Sequence, residues 1–130
     1  YQIDGLAPGT YNVVAYTVGS QSFPAGLAGG YTNAVTCGLG QGCTDHSLVG
    51  VQVGAGQVTA AVNPADWYLV DGAFPPFPGV PLQNVPSAAA SPGTGTIAGN
   101  LMYPSSGIPA MRVVAMRVGS DFRTQRWATG

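Results

Sequence analysis

Two cysteines and the only histidine of the chain lie close together, within residues 37–46. Five residues, three of them glycine, separate Cys37 from Cys43. An even number of cysteines, joined by a Gly-rich loop that is flexible enough to close, favours a disulfide. The alternative is a tetrahedral metal site formed by the two thiolates with Asp45 and His46, but this spacing matches no usual zinc pattern. We therefore predict the disulfide Cys37–Cys43 and expect no metal and no other cofactor.

The titratable residues give no pattern typical of an enzyme. His46 directly follows Asp45, and side chains of sequence neighbours do not easily form a Ser-His-Asp hydrogen-bond chain. The chain contains neither Lys nor Glu, so a phosphate-binding loop with its lysine is excluded. The five Asp residues show no paired-carboxylate motif. We expect a protein without catalytic residues, in which residues 44–47 form hydrogen bonds within their loop.

Four aromatic residues, Trp67, Tyr68, Phe74 and Phe77, lie close together in the sequence. Such rings can form a flat surface that binds sugars, although packing against a sheet is their commoner role. We retain Trp67 and Tyr68 as a candidate aromatic binding surface, with glycans as the partner. This supports an alternative function, a non-catalytic carbohydrate-binding or adhesion-type domain of a larger secreted protein.

The composition is apolar and almost uncharged, with 45% hydrophobic residues, 7% charged residues and a net charge of −1. Soluble domains usually contain about 25% charged residues, and a net charge near zero favours association. Twenty Gly and eleven Pro favour turns over long helices. Four Arg are too few for a nucleic-acid surface, and no apolar run reaches the roughly 18 residues of a membrane span. Since the chain begins without Met, we expect a mature or excised piece of a longer protein.

Alternation of apolar and polar residues predicts strands over residues 11–18, 48–53, 57–62, 96–103, 111–118 and 122–127. The glycines of residues 54–56 predict a hairpin between the second and third of these strands. No segment has a convincing helical period. The pattern therefore predicts an all-β fold, an antiparallel β-sandwich.

A Pro-rich segment, residues 72–95, divides the chain. It contains six Pro and no charged residue, which predicts an extended linker of polyproline type between an N-terminal part, residues 1–71, and a C-terminal part, residues 96–130. Phe74 and Phe77 leave open whether this linker docks partly on a sheet. Residues 1–95 carry a net charge of −4 and residues 96–130 a net charge of +3. Opposite charges steer the two parts together, within one molecule or between neighbouring molecules.

The first residues, YQIDGLAPGTYNVVAY, resemble the second half of a carboxypeptidase-regulatory-like (transthyretin-like) domain. There a similar run joins two strands through a Pro-Gly turn, in which Pro8 would fix φ and Gly9 would supply the permissive position. Residues 95–101 (GTIAGNL) and 108–115 (IPAMRVVA) resemble the first two strands of the same domain. The resemblance covers about 50 residues, and the two halves stand in reversed order.

The resemblance implies a transthyretin-like or Ig-like sandwich that the C-terminal strands complete, in their own chain or in a neighbouring one. A third interpretation is that the chain is one segment of a tandem-repeat protein. Strand addition between copies removes exposed sheet edges and, repeated head to tail, forms a filament. The expected function is a structural subunit or repeat module of an extracellular or cell-surface filament, with other copies of the chain as its partner. The strand residues expected to mediate assembly are Ile97, Leu101, Met111, Val113 and Ala115.

Overall fold

The computed structural model describes residues 1–18, 27–67, 74 and 93–119, and the backbone of residues 126–129. In these residues it has eight strands and one helix of five residues, which confirms the all-β prediction. In chain order they are β1 (Gln2–Leu6), β2 (Gly9–Thr17), β3 (Ala28–Gly30), α1 (Asn33–Cys37), β4 (Val51–Val53), β5 (Val58–Thr59), β6 (Gly95–Ala98), β7 (Met111–Arg117) and β8 (Arg126–Thr129).

The strands form two sheets. The first has the order β1-β6-β5, and the second has the order β3-β2-β7-β8, with β4 also paired to β2. All pairs are antiparallel except β5–β6, which is parallel and corrects the prediction of a purely antiparallel fold. One extra residue in β1 between Ile3 and Leu6 shifts its register on β6, and Gly5 has a φ of 71° there. A glycine in the left-handed region is typical of a β-bulge.

The predicted hairpin over residues 48–62 is wrong, because its two strands join different sheets. β4 pairs with β2, whereas β5 pairs with β6. The backbone groups that a hairpin would use are taken by the C-terminal segment. Gly56 donates to the carbonyl of Thr94 (2.8 Å), and Thr96 donates to the carbonyl of Gln57 (2.8 Å). The glycines of residues 54–56 therefore form a corner between the sheets.

The predicted strand over residues 96–103 is also too long, since β6 ends at Ala98. Beyond Ala98, Gly99 still pairs with Tyr1, and Asn100 is then held by a side chain. Gly99 donates to the carbonyl of Tyr1 (3.1 Å), and the backbone N–H of Asn100 donates to the side-chain oxygen of Asn63 (2.8 Å). Of the predicted strand over residues 122–127, β8 overlaps the last two residues, and the rest lies outside the described residues.

Helix α1 was not predicted, because five residues are too few to show a helical period. Its ends explain why it forms. The Thr32 side chain accepts a hydrogen bond from the backbone N–H of Val35, and Gly38 ends the helix at a φ of 105°. Ser or Thr at the start and a left-handed glycine at the end satisfy the unpaired backbone groups of a helix.

The main core cluster draws residues from both sheets. It contains Ile3, Leu6, Tyr11, Val13, Ala15, Val51, Val53, Val62, Ile97, Val113 and Ala115. A second cluster lies on the other face of the larger sheet and contains Val14, Tyr16, Val114 and Met116, with Ala28, Leu48 and Phe74 packed against it. Successive side chains of a strand point to opposite faces. β2 and β7 are therefore buried on both faces, which accounts for the apolar runs at residues 13–16 and 113–116.

Candidate functional site

The C-terminal strands are paired with the first strands of the same chain. β7 pairs with β2 in seven successive positions, from Tyr11 opposite Arg117 to Thr17 opposite Met111. β6 lies between β1 and β5, with Ile97 opposite Ile3. The predicted complementarity of the two ends is thus present within one chain. The boundaries at residues 71 and 95 border a stretch that is described only at residue 74, so the division into parts stays a prediction.

The residues predicted to mediate assembly fall into two groups. Ile97, Val113 and Ala115 are completely buried and Met111 nearly so, all in β6 or β7. Leu101 belongs to no strand; it is half-buried and packs against the main core from the loop after β6. Its assignment to a strand is corrected for the same reason that β6 ends at Ala98.

The turn between β1 and β2 is closed by the C-terminal strand. Arg117 donates from Nη2 to the carbonyl of Pro8 (3.0 Å), and Tyr11 donates from its hydroxyl to the carbonyl of Ala7 (2.7 Å). The φ of Gly9 is not in the left-handed region, so Gly9 does not have the conformational role expected for it. Instead, a Cβ on Gly9 would lie 2.9 Å from Nε of Arg117. Glycine at this position makes room for the arginine.

A second polar cluster joins Thr32, His46 and the buried Asp66. Asp66 is only 3% exposed, and its Oδ2 accepts a hydrogen bond from the hydroxyl of Thr32 (2.6 Å). Nδ1 of His46 lies 2.8 Å from the same oxygen. Because both groups meet one carboxylate oxygen, His46 does not stand between the acid and the hydroxyl, as activation of a nucleophile requires. The arrangement ties the loop before β4 to the segment after β5.

Sequence reasoning placed His46 in a local loop network and missed its contact with Asp66. The two residues are 20 positions apart, and neither spacing nor periodicity connects them. The one signal was an Asp in a short apolar stretch, next to Ala65 and Trp67. A buried carboxylate needs hydrogen-bond donors, so such a position calls for a polar partner elsewhere in the chain.

Asp45 and Ser47 do form the predicted local network. Oδ1 of Asp45 accepts from the backbone N–H (3.0 Å) and hydroxyl (2.6 Å) of Ser47, and Oδ2 accepts from Nδ2 of Asn33 (3.0 Å). The hydrogen bonds from Ser47, first from its side chain and then from its backbone, lower the pKa of Asp45. A donor to the ionised form favours that form.

Cys37 and Cys43 form the predicted disulfide, with their Cα atoms 5.8 Å apart. It closes the exposed loop that follows α1. With both sulfurs bonded to each other, the metal alternative loses its thiolate ligands. Among the described residues, no group of three or more His, Cys, Asp or Glu could hold a metal ion.

Trp67 packs as part of the structure. A Cβ on Gly29 would lie 2.6 Å from Cε2 of its ring, its Nε1 donates to the carbonyl of Met102 (2.7 Å), and Tyr103 meets it edge-on at 5.0 Å between ring centroids. Tyr68, its partner in the candidate aromatic surface, lies outside the described residues.

Phe74 docks on the opposite face of β3, where a Cβ on Gly30 would lie 2.5 Å from its ring. The question of linker docking is thereby answered for this residue, whereas Phe77 lies outside the described residues.

No protein-family model, curated protein or solved structure matches the chain. In the part of the chain that the structure describes, no helix is long and apolar enough to cross a membrane.

Proposed function

We propose that the protein is a structural subunit of an extracellular or cell-surface filament, assembled head to tail when β6 and β7 of one copy pair with β1, β5 and β2 of the next. The observation that carries this proposal is the pairing of β6 with both β1 and β5, and of β7 with seven of the nine residues of β2. Exchange between copies reproduces the contacts of the closed chain, as in domain swapping.

The chain between the two sets of strands is long enough for exchange. Eighteen residues separate Phe74, which docks on the N-terminal body, from Gly93. If extended, a Pro-rich sequence of this length would span roughly 56 Å at about 3.1 Å per residue. The balance between closure within one chain and exchange between copies then depends mainly on linker entropy and on protein concentration.

Three further features support an extracellular assembly. The net charge of −1 opposes association only weakly. The disulfide is typical of an oxidising compartment. The opposite charges of the N-terminal and C-terminal parts favour their encounter in a neighbouring copy as well as in the same chain.

We further propose that the two sheets pack as a sandwich of transthyretin-like topology with its halves in permuted order. The main core cluster, to which both sheets contribute, supports the sandwich. The β1–turn–β2 unit and its pairing with β6 and β7 support the permuted order, because the segments of the resemblance are the ones that meet.

Electron microscopy and sedimentation velocity over a range of concentrations test the filament. We expect the wild-type chain to form fibres, or species that grow with concentration. Val113→Asp places a charge at a fully buried donor position and should abolish assembly, and it should shorten wild-type fibres when mixed in. Val118→Asp, at a position 54% exposed, is the control and should assemble normally. A wild-type chain that stays monomeric at every concentration would refute the proposal.

The alternative, a carbohydrate-binding or adhesion-type domain, predicts a different result. Glycan-array binding that is lost on Trp67→Ala but kept on Trp67→Phe, a change that keeps an aromatic ring, would favour it. The hydrogen bond from Trp67 to Met102 and the packing on Gly29 give this side chain a structural role already.

A further inference from the structure

β6 occupies a slot between two strands that both belong to residues 1–67. On one side it pairs antiparallel with β1, and on the other it pairs parallel with β5. The corner at Gly54 lies at one end and the backbone of Val62 at the other. We call this arrangement the strand slot. A strand that is central in its sheet makes main-chain hydrogen bonds on both sides, and these bonds supply affinity that does not depend on side chains.

The two ends of the strand slot admit only glycine. A Cβ on Gly95 would strike the carbonyl oxygen of Gly54 and lie 2.5 Å from Cγ1 of Val53. A Cβ on Gly99 would strike the carbonyl oxygen of Val62 and lie 2.6 Å from its carbonyl carbon. The obstacles at both ends include backbone atoms, which no rotamer change can remove. Neither glycine has a left-handed φ, so the requirement is for space and not for conformation.

The three residues between the glycines, Thr96, Ile97 and Ala98, differ in how tightly the slot constrains them. Ile97 is fully buried in the main core, opposite Ile3. Thr96 is 5% exposed, and its hydroxyl donates to Oδ1 of Asp4 (2.8 Å) at the bulge of β1. Ala98 is half-buried, and its carbonyl accepts from the backbone N–H of Val62 (3.1 Å). The slot thus specifies a glycine, a hydroxyl residue, a buried aliphatic residue, a residue with few constraints and a second glycine.

We propose that the strand slot is a sequence-selective peptide acceptor whose occupant in the assembly is the Gly-Thr-Ile-Ala-Gly segment, residues 95–99, of a second copy of this chain. The same segment fills the slot in the closed chain, so an identical segment from another copy meets every one of its requirements. That the occupant comes from a second copy rests on the proposed function, whereas the selectivity does not.

Capture of a labelled synthetic peptide, residues 93–119, tests the selectivity. The full chain is unfolded in denaturant, mixed with excess peptide and refolded, because the chain's own β6 competes at a high effective concentration. Gel filtration then measures the peptide that co-elutes with the folded chain. We expect capture of the wild-type peptide, and at least about tenfold weaker capture of Gly95→Ala and Gly99→Ala peptides, since overpacking against backbone is costly. An Ala110→Ser peptide, changed at an exposed position, is the control and should be captured like the wild type.

Thermal unfolding of full-chain variants gives a second readout. Gly99→Ala should lower the melting temperature, whereas Gly40→Ala, where a Cβ has no neighbour within 4 Å, should leave it unchanged. If the full-chain variant Gly99→Ala fails to fold, the two peptides are added to it in turn. Folding restored by the wild-type peptide but not by the Gly99→Ala peptide would support the selective slot.

The outcomes separate the two proposals. Equal capture of the alanine and wild-type peptides, or capture of none of them, would overturn the selective slot. Selective capture by a chain that never forms fibres would uphold the slot and refute the filament. Fibres together with equal capture of all the peptides would support the filament and refute the selective slot.

Discussion

Replacement of Val113 by Ala measures how far the C-terminal strand and the N-terminal half share one core. Val113 is completely buried in β7, opposite Ala15 of β2. The change removes two methyl groups, a loss of about 1.6 kcal/mol in transfer free energy at about 0.8 kcal/mol each. The small side chain opposite cannot fill the space, so a cavity cost adds to this loss. We expect the free energy of unfolding to fall by about 2–3 kcal/mol.

Urea denaturation at a concentration where the chain is monomeric measures this loss. The denaturation midpoint should fall while the m-value stays constant, which marks a change in stability alone. Val118→Ala is the matched control, because Val118 directly follows β7 and is 54% exposed. It should change the free energy of unfolding by less than about 0.5 kcal/mol. If the two variants are equally stable, β7 is not part of the core and the reasoning fails.

Three further predictions concern the loop around α1. Replacing both Cys37 and Cys43 by Ser should cost about 2 kcal/mol of stability in the entropy model for so short a loop; urea midpoints equal to those of the oxidised wild type would contradict this. Thr32→Val should cost about 1–3 kcal/mol, because it removes both a donor to a buried carboxylate and the side-chain cap of α1, whereas the exposed control Thr36→Val should cost little. The lowered pKa of Asp45 means that its contribution to stability is present at neutral pH and is lost as the pH falls through the folded-state pKa. Asp45→Asn should therefore reduce the acid dependence of the urea midpoint. An unchanged dependence would argue against a stabilising contribution of the ionised Asp45 carboxylate.

The central strands could be predicted from the sequence because their patterns are strong. β2 and β7 match the predicted strands to within two residues at each end, since long runs of β-forming residues have few alternatives. The disulfide followed from the count and spacing of two cysteines. In both cases the evidence lies within a short stretch of chain.

Three of the misses depend on contacts between distant segments. β5 looked like the second strand of a hairpin, but the C-terminal β6 takes its backbone hydrogen bonds. Asp66 showed no partner in the sequence, but it is buried and its carboxylate contacts Thr32 and His46. Gly9 looked like a conformational glycine, but it makes room for the distant Arg117. No local pattern contains such information, because the partner is many residues away.

Mixed-cysteine cross-linking tests the exchange of strands most directly. Asn12 on β2 lies opposite Met116 on β7, and side chains directly opposite in an antiparallel pair are within reach of a disulfide. One chain carries Asn12→Cys and a second carries Met116→Cys, and the two are refolded together and oxidised. We predict a cross-linked pair that contains one chain of each kind, identified by mass spectrometry. Folded monomers that never yield this mixed pair would show that β7 stays on its own chain, and would contradict the account.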